Sequence, residues 1–338
     1  MGQVKGRVTI DDVAKQAGVS KTTISRYLNK KFECMSEKSK NRIAAVIEEL
    51  QYRPNNLARS LKSSKSRLIG LIVADISSPF SSIVAQGISD SCKRYGYDVL
   101  MAHTDNDAEK EQKYILSMLD QRVDGLIINS TCKITEFLQD IATRYVPIVL
   151  ADRPTFPTCF DTVRSADYAA VMEAVQYLVD KGYQRVGFFS EPINSNGTRL
   201  LRHKAYEKAC SEILHMEPQE YVIHIHEKHR VEILVEDFIA KNSGAKKAIF
   251  TVNGVALVSV LNAIKNLQLT IPGDVGICSF DNWDWTGLMG PGITAISQPS
   301  YQVGVECVKR LMFRIHRNKT APPKMIELPT KLIIRGST

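Results

Sequence analysis

The sequence predicts an all-α helix-turn-helix headpiece followed by an α/β core of two doubly wound parallel-sheet lobes. Three observations predict it. A short basic segment with helical periodicity opens the chain, alternating strand and helix patterns begin near residue 67, and that rhythm pauses at about 155–165 before repeating. With 338 residues the chain is long enough for two or three domains.

The charge is unevenly placed. Residues 1–66 contain 14 Lys and Arg against 6 Asp and Glu, whereas the whole chain contains 44 against 36, so the entire excess of eight lies in the first fifth. A solvated basic tail would carry the same charge but no apolar periodicity, so the expected partner is nucleic acid. The seven cysteines are scattered without a CxxC pair, which opposes a zinc site or a disulfide frame and fits a reducing cytoplasm. No apolar run approaches membrane-spanning length, and the first twenty residues lack the apolar centre of a secretion signal. A cytoplasmic protein without a membrane partner is expected.

In the headpiece, Thr9 followed by Asp12 predicts a capping box and a helix opening at Ile10, with Ile10, Val13, Ala14 and Ala17 on one face. Gly18 suits a left-handed turn, and Ser20 suits the cap of a second helix. Ile24, Tyr27 and Leu28 then face the first helix, which turns Lys21, Thr22, Ser25 and Arg26 outward. A third helix from the cap Ser36 is expected to bury Ile43, Ile47 and Leu50. This is a helix-turn-helix unit, and the N-terminal end of its second helix fits the major groove, where Lys and Arg donate to guanine. A three-helix protein-interaction module with a solvated basic face is the alternative. Beyond Pro54, Leu57 and Leu61 lie on a segment too short to be a stable isolated helix. Residues 54–63 are therefore expected to be helical only when covered, with the run at 62–66 as a tether.

In the remainder, apolar runs at 68–76, 97–103, 123–130 and 146–152 precede the pause, and runs at 185–191, 221–226, 247–253 and 275–282 follow it. Their continuous apolar character predicts strands covered on both faces. Ligands in such sheets sit beyond the carboxyl ends of the strands, where this chain carries Asp75, Asp152, Asn253 and Asp281.

The stretches "VTIDDVAKQAGVSKTTISRYLN", "YRPNNLARSLK", "LIGLIVADISSPF", "QRVDGLIINS", "LADR" and "ISQPSYQVG", in this order, resemble the LacI/GalR family of bacterial transcription regulators from about residue 8 onward. The resemblance implies a periplasmic-binding-protein-like core behind the headpiece. It also implies a helix-turn-helix domain over 1–53, a hinge helix and linker over 54–66, and a ligand-binding and dimerisation core over 67–338. The first lobe would comprise about 67–163 and 296–325, and the second about 164–295 and 326–338. By motif, Lys21, Thr22 and Arg26 match residues that read the major groove, with Ser25 beside them. Leu61 matches a hinge leucine that wedges into the minor groove, with Lys62 next to it. Phe80, Asp152, Thr198, Arg202, Asn253 and Asp281 match effector-contacting positions.

Such a set suits a small hydroxylated anion, with Arg202 pairing a carboxylate, Asp and Asn orienting hydroxyls, and Phe80 as an apolar wall. Asp152 or Asp281 could equally cap a turn, and Phe80 could belong to a core. The chain departs from the family pattern at three places in the cleft: Asn253-Gly254 replaces Asn-Asp, Asp167-Tyr168 replaces Asp-Asn, and Ala205 replaces the glycine after Arg202. "NKKFECMS" is one residue longer than in several relatives. More narrowly, "FDNWDWTGLMGPGITAISQPSY" and "LIIRGST" are similar to repressors of 2-keto-3-deoxygluconate and related sugar-acid operons.

The function expected is a dimeric repressor that binds palindromic double-stranded operator DNA and answers to a sugar or sugar acid such as 2-keto-3-deoxygluconate. A sugar-acid receptor without a regulatory DNA role and a sugar-acid-processing enzyme are the alternatives. The basic headpiece opposes the first, and the lack of any catalytic pairing opposes the second. No cofactor is expected. No metal is expected either, since His224, His226 and His229 have no converging carboxylate or thiol.

Overall fold

The computed structural model describes residues 8–33, 35–52, 65–193, 197–224, 227–317 and 321–338. The chain divides into two compact units, 1–66 and 67–338.

The first unit contains α1 (Ile10–Gln16), α2 (Lys21–Leu28) and α3 (Glu37–Glu49). The capping box is present: Asp12 N donates to Thr9 Oγ1 at 3.3 Å and Thr9 N donates to Asp12 Oδ2 at 2.8 Å. Gly18 turns the chain at φ +61°, and Ser20 Oγ accepts from Thr23 N to start α2. Val13, Ala14, Ala17, Ile24 and Ile43 form the core with Val46 and Tyr52. Ile47 and Leu50, expected inside, are half-buried at its rim. Val46, three residues after Ile43, takes the inner place with it.

The second unit has two six-stranded sheets. The first has the order β11-β5-β4-β3-β1-β2. Its strands are β1 (Leu68–Val73), β2 (Asp98–His103), β3 (Gly125–Ile128), β4 (Ile148–Ala151), β5 (Asp161–Ser165) and β11 (Met325–Leu328). The second has the order β12-β10-β9-β8-β6-β7, and β12 is antiparallel to β10. It is made of β6 (Arg185–Ser190), β7 (Gln219–Val222), β8 (Lys247–Thr251), β9 (Gly276–Phe280), β10 (Thr294–Ser297) and β12 (Lys331–Ile333). Helices α4 (Pro79–Arg94), α5 (Ala108–Asp120), α6 (Thr135–Arg144) and α11 (Ser300–His316) belong to the first lobe. Helices α7 (Asp167–Asp180), α8 (Gly197–Ala209), α9 (Lys228–Lys241) and α10 (Gly254–Asn266) cover the second.

Helices α4 and α11 meet backbone to backbone. A β-carbon on Gly87 would lie 2.2 Å from Tyr301 O, and one on Gly304 would lie 2.3 Å from Val84 O. Only glycine permits that approach.

Two expectations need correction. The pause at 155–165 contains β5, a strand of sequence DTVRS that is buried throughout. Its polar residues are neutralised inside: Asp161 accepts from Arg314 Nε at 2.6 Å and Nη2 at 2.9 Å, and Arg164 pairs with Glu327 on β11. Secondly, the strand expected at 221–226 is β7, Gln219–Val222, two residues earlier. Strands β5, β10 and β11 run to Ser165, Ser297 and Leu328, against lobe boundaries expected at about 163, 295 and 325. In each case the strand ends on residues held by ladder bonds rather than by an apolar pattern.

Among the described residues six cysteines are free thiols, four of them buried; Cys34 lies outside that set. Burial pushes the Cys92 and Cys278 thiols up to about 12, which makes them packing groups rather than nucleophiles.

Candidate functional site

On the headpiece, Lys21, Thr22 and Arg26 are exposed along α2 and Ser25 is half-exposed. The Lys21 ammonium pairs with Asp11 Oδ1 at 2.5 Å. Leu61 and Lys62 lie outside the described residues.

In the core, the carboxyl ends of the strands meet across a cavity of about 160 Å³. Phe80, Asp152, Thr198, Arg202, Asn253 and Asp281 all line it. Asp152 follows β4 and Asp281 follows β9, the fourth strand of each lobe in chain order. Both adopt left-handed backbone conformations, φ +70° and +76°, which non-glycine residues reach only under constraint. Asp152 is held by its amide, which donates to Val163 O, while its Oδ1 has no hydrogen-bond partner. Burial, reinforced by the negative charge of Asp167, pushes its carboxyl up to about 6.

Arg202 lines the cavity but is already engaged. Its Nε donates to Asp167 Oδ1 at 2.8 Å, Nη2 lies 2.8 Å from the same oxygen, and Nη1 donates to Val252 O at 2.8 Å. Its guanidinium carbon lies 3.5 Å from the centre of the Phe280 ring. The side-on edge that a ligand carboxylate would take therefore faces Asp167.

Two other residues expected at the site also hold the fold. Asn253 caps α10, its Oδ1 accepting from Ala256 N and its Nδ2 donating to Glu191 Oε2. Asp281 Oδ2 accepts from Gly254 N at 3.0 Å and Oδ1 accepts from Gln298 Nε2. Gln298 in turn accepts from Ser165 Oγ at 2.8 Å, so one amide joins two of the lobe crossings to the cavity wall. Thr198 Oγ1 donates to Asp152 O, and a β-carbon on Gly197 would sit 2.6 Å from Pro154 O, so the two lobes touch at this rim.

Among the lining residues that sequence reasoning missed are Arg153, Arg199 and Gln298. All three lie inside stretches already singled out, "LADR", "TRLLRHKAY" and "ISQPSYQVG". Arg153 directly follows Asp152, and Arg199 is three residues before Arg202, so a basic residue beside an expected contact was the available signal. Arg199 pairs with Glu191 and donates to Pro192 O.

His224 is exposed, His226 lies outside the described residues, and His229 pairs with Glu232. The chelating geometry found among the described residues is instead His203, Glu207 and Glu220, between α8 and β7. There each imidazole nitrogen faces a carboxylate, Nε2 at 2.7 Å from Glu220 and Nδ1 at 3.4 Å from Glu207. No described helix is long and apolar enough to cross a membrane.

Residues 9–55 match the family profile of bacterial regulatory proteins, lacI family, and residues 175–338 match that of a periplasmic binding protein-like domain. The chain is 38% identical over 337 residues to the HTH-type transcriptional regulator KdgR of Bacillus subtilis (strain 168), with 98% of each protein covered. It is 36% identical to the HTH-type transcriptional regulator PtxS of Pseudomonas putida, covering 98% of this chain and 96% of that one. Its fold matches that of the lac repressor dimer bound to operator and the anti-inducer ONPF, with a TM-score of 0.84 at 22% identity over 98% and 99% of the two chains.

A helix-turn-helix headpiece joined to an effector-binding core defines a DNA-binding transcriptional regulator rather than an enzyme. The chain belongs to the LacI family of bacterial regulatory proteins.

Proposed function

We propose that this regulator is a cytoplasmic homodimer that represses a sugar-acid catabolic operon from a palindromic site and responds to a sugar acid, 2-keto-3-deoxygluconate or a close relative. Lys21, Thr22, Ser25 and Arg26 read the major groove in each half-site, and Leu61 with Lys62 act at the operator's centre. Residues 1–53 form the DNA-binding domain, 54–66 the hinge helix and linker, and 67–338 the effector and dimerisation core. Phe80, Asp152, Thr198, Arg202, Asn253 and Asp281 surround the effector.

The observation that carries the reading is the cavity wall itself, which combines three arginines with Asp152, Asn253 and Asp281. Guanidinium groups select a carboxylate, and the acids and amide accept from or donate to hydroxyls. A neutral apolar effector would leave Asp152 Oδ1 without a donor. The narrower choice of acid draws support from the stretch 280–301, whose resemblance is to regulators of sugar-acid operons. The effector acts by changing the angle between lobes, and a difference of a few kcal/mol between the two arrangements is enough to reset operator occupancy.

The test is an anisotropy titration of a labelled palindromic duplex from the gene's own promoter, with and without 2-keto-3-deoxygluconate, gluconate and galacturonate. At least one acid is expected to shift the operator Kd by about tenfold or more. No preference for that duplex over random DNA, under any of these conditions, would overturn the reading.

A further inference from the structure

Seven charged side chains line the cavity: Asp75, Asp152, Arg153, Glu191, Arg199, Arg202 and Asp281. Five have partners within the protein. Asp75 accepts from Ser77 N and Oγ, Glu191 and Arg199 pair with each other, Arg202 pairs with Asp167, and Asp281 accepts from Gly254 N and Gln298. Two adjacent residues are different. Asp152 is buried with Oδ1 unpartnered, and Arg153 has no carboxylate within ion-pair distance among the described residues.

Arg153 is nevertheless held in place. Its Nη1 donates to Asn106 Oδ1 at 2.8 Å and to Ser130 O at 3.2 Å. These bonds fix the plane of the guanidinium while the Nε–Nη2 edge, the fork that takes a carboxylate side-on, bonds to no described residue. A half-buried cation without a counter-charge is poorly compensated, and a buried carboxyl oxygen without a donor is costly. Burial holds the Arg153 guanidinium below its ordinary range; Asp152 opposes that shift and the like charge of Arg199 adds to it.

We propose that Arg153, rather than Arg202, anchors the effector's carboxylate, and that Asp152 accepts from a hydroxyl on the same ligand. The ligand class is then a small hydroxy acid or keto acid whose carboxylate and nearest hydroxyl span neighbouring residues of one strand end. Arg202, locked to Asp167 and Val252, braces the wall behind it. This assignment rests on the reading that the effector is an acid bound in the cleft.

The discriminating experiment is calorimetric titration of the full chain with 2-keto-3-deoxygluconate, gluconate and galacturonate, each alongside its uncharged amide. Melting curves and operator binding are recorded on the same samples. Wild-type protein should prefer at least one acid over its amide. In Arg153→Gln that preference ratio should fall by about tenfold to a hundredfold, the range of a charge-assisted hydrogen-bonded pair, because only the charge on the ligand is being sensed. Misfolding cannot imitate a change in the ratio between two ligands on protein that melts cooperatively. Should Arg153→Gln not fold, Arg153→Lys decides: a ratio below wild type supports the fork, and a ratio equal to wild type overturns it. An unchanged ratio in folded Arg153→Gln overturns the anchor while leaving the sugar-acid reading intact. Failure of wild-type protein to bind any acid, with operator binding normal, overturns that reading and the anchor with it.

Discussion

The indole of Trp283 occupies the space where residue 254 would carry a side chain: a β-carbon on Gly254 would lie 2.5 Å from the ring. This accounts for the departure from the family's Asn-Asp pattern at Asn253-Gly254. An aspartate there and a tryptophan at 283 cannot coexist unless the indole or the first turn of α10 shifts, and the Gly254 amide in that turn also serves Asp281. Gly254→Asp should therefore destabilise the core by about 1–3 kcal/mol through overpacking. Adding Trp283→Ala should return part of that loss, and a double-mutant cycle on thermal or urea unfolding measures the coupling. Strict additivity of the two changes would show that the ring and the glycine are independent.

Asp152 makes stability depend on pH. Its folded-state carboxyl titrates at about 6 against an ordinary 3.8, so between those values the folded chain holds a proton that the unfolded chain has lost. Stability from this group thus falls as pH rises from about 4 to 6, and the full penalty persists above. Asp152→Asn should raise the melting temperature by a few degrees at pH 7.5 and bring no gain at pH 4, the difference corresponding to about 1–3 kcal/mol. An equal gain at both values would mean that ionisation is not the cause.

Asp161 has the opposite character. Burial alone would raise its pKa, but side-chain hydrogen bonds from Arg314 and Arg310 and the Lys324 amide outweigh it and hold it below the ordinary carboxylate value. Arg314→Met removes the principal partner and leaves a buried charge in β5, at a cost of about 3–5 kcal/mol. Urea unfolding of the effector core measures it, and a loss below 1 kcal/mol would show that Arg310 alone suffices.

On the headpiece, Asp11 neutralises Lys21 from a neighbouring helix, and both side chains are more than half exposed. Such a pair adds about 0–1 kcal/mol to stability, so its larger effect is on DNA. Asp11→Asn should strengthen operator and non-specific binding alike at low salt, with the gain fading as salt rises. A weakened complex would assign Asp11 a role in orienting Lys21.

The helix caps, the glycine turn and most apolar strands were legible because each carries a local physical signal: Thr9 with Asp12, Ser20 and Ser36 at caps, and unbroken apolar runs in β1, β3 and β4. β5 was not, because its five residues include Asp161, Arg164 and Ser165, and only partners more than a hundred residues away make them fit for burial. All six core positions expected from the motifs do line one cavity. What the motifs could not convey was which arginine is occupied: Arg202 and Arg153 are alike in type, and only the position of Asp167 beside one of them separates the two.

The chain crosses between the lobes three times, after β5, β10 and β11. On the ribosome this imposes an order of maturation. Strands β6 to β10 are contiguous in the chain but lack their edge strand β12 until residue 333, and the first lobe lacks α11, whose Gly304 seats against α4, and its edge strand β11 until residue 328. Both halves of the core are therefore sealed only by the last segment of the chain, the first by β11 and the second by β12 and by Ser337, whose Oγ donates to Ile277 O.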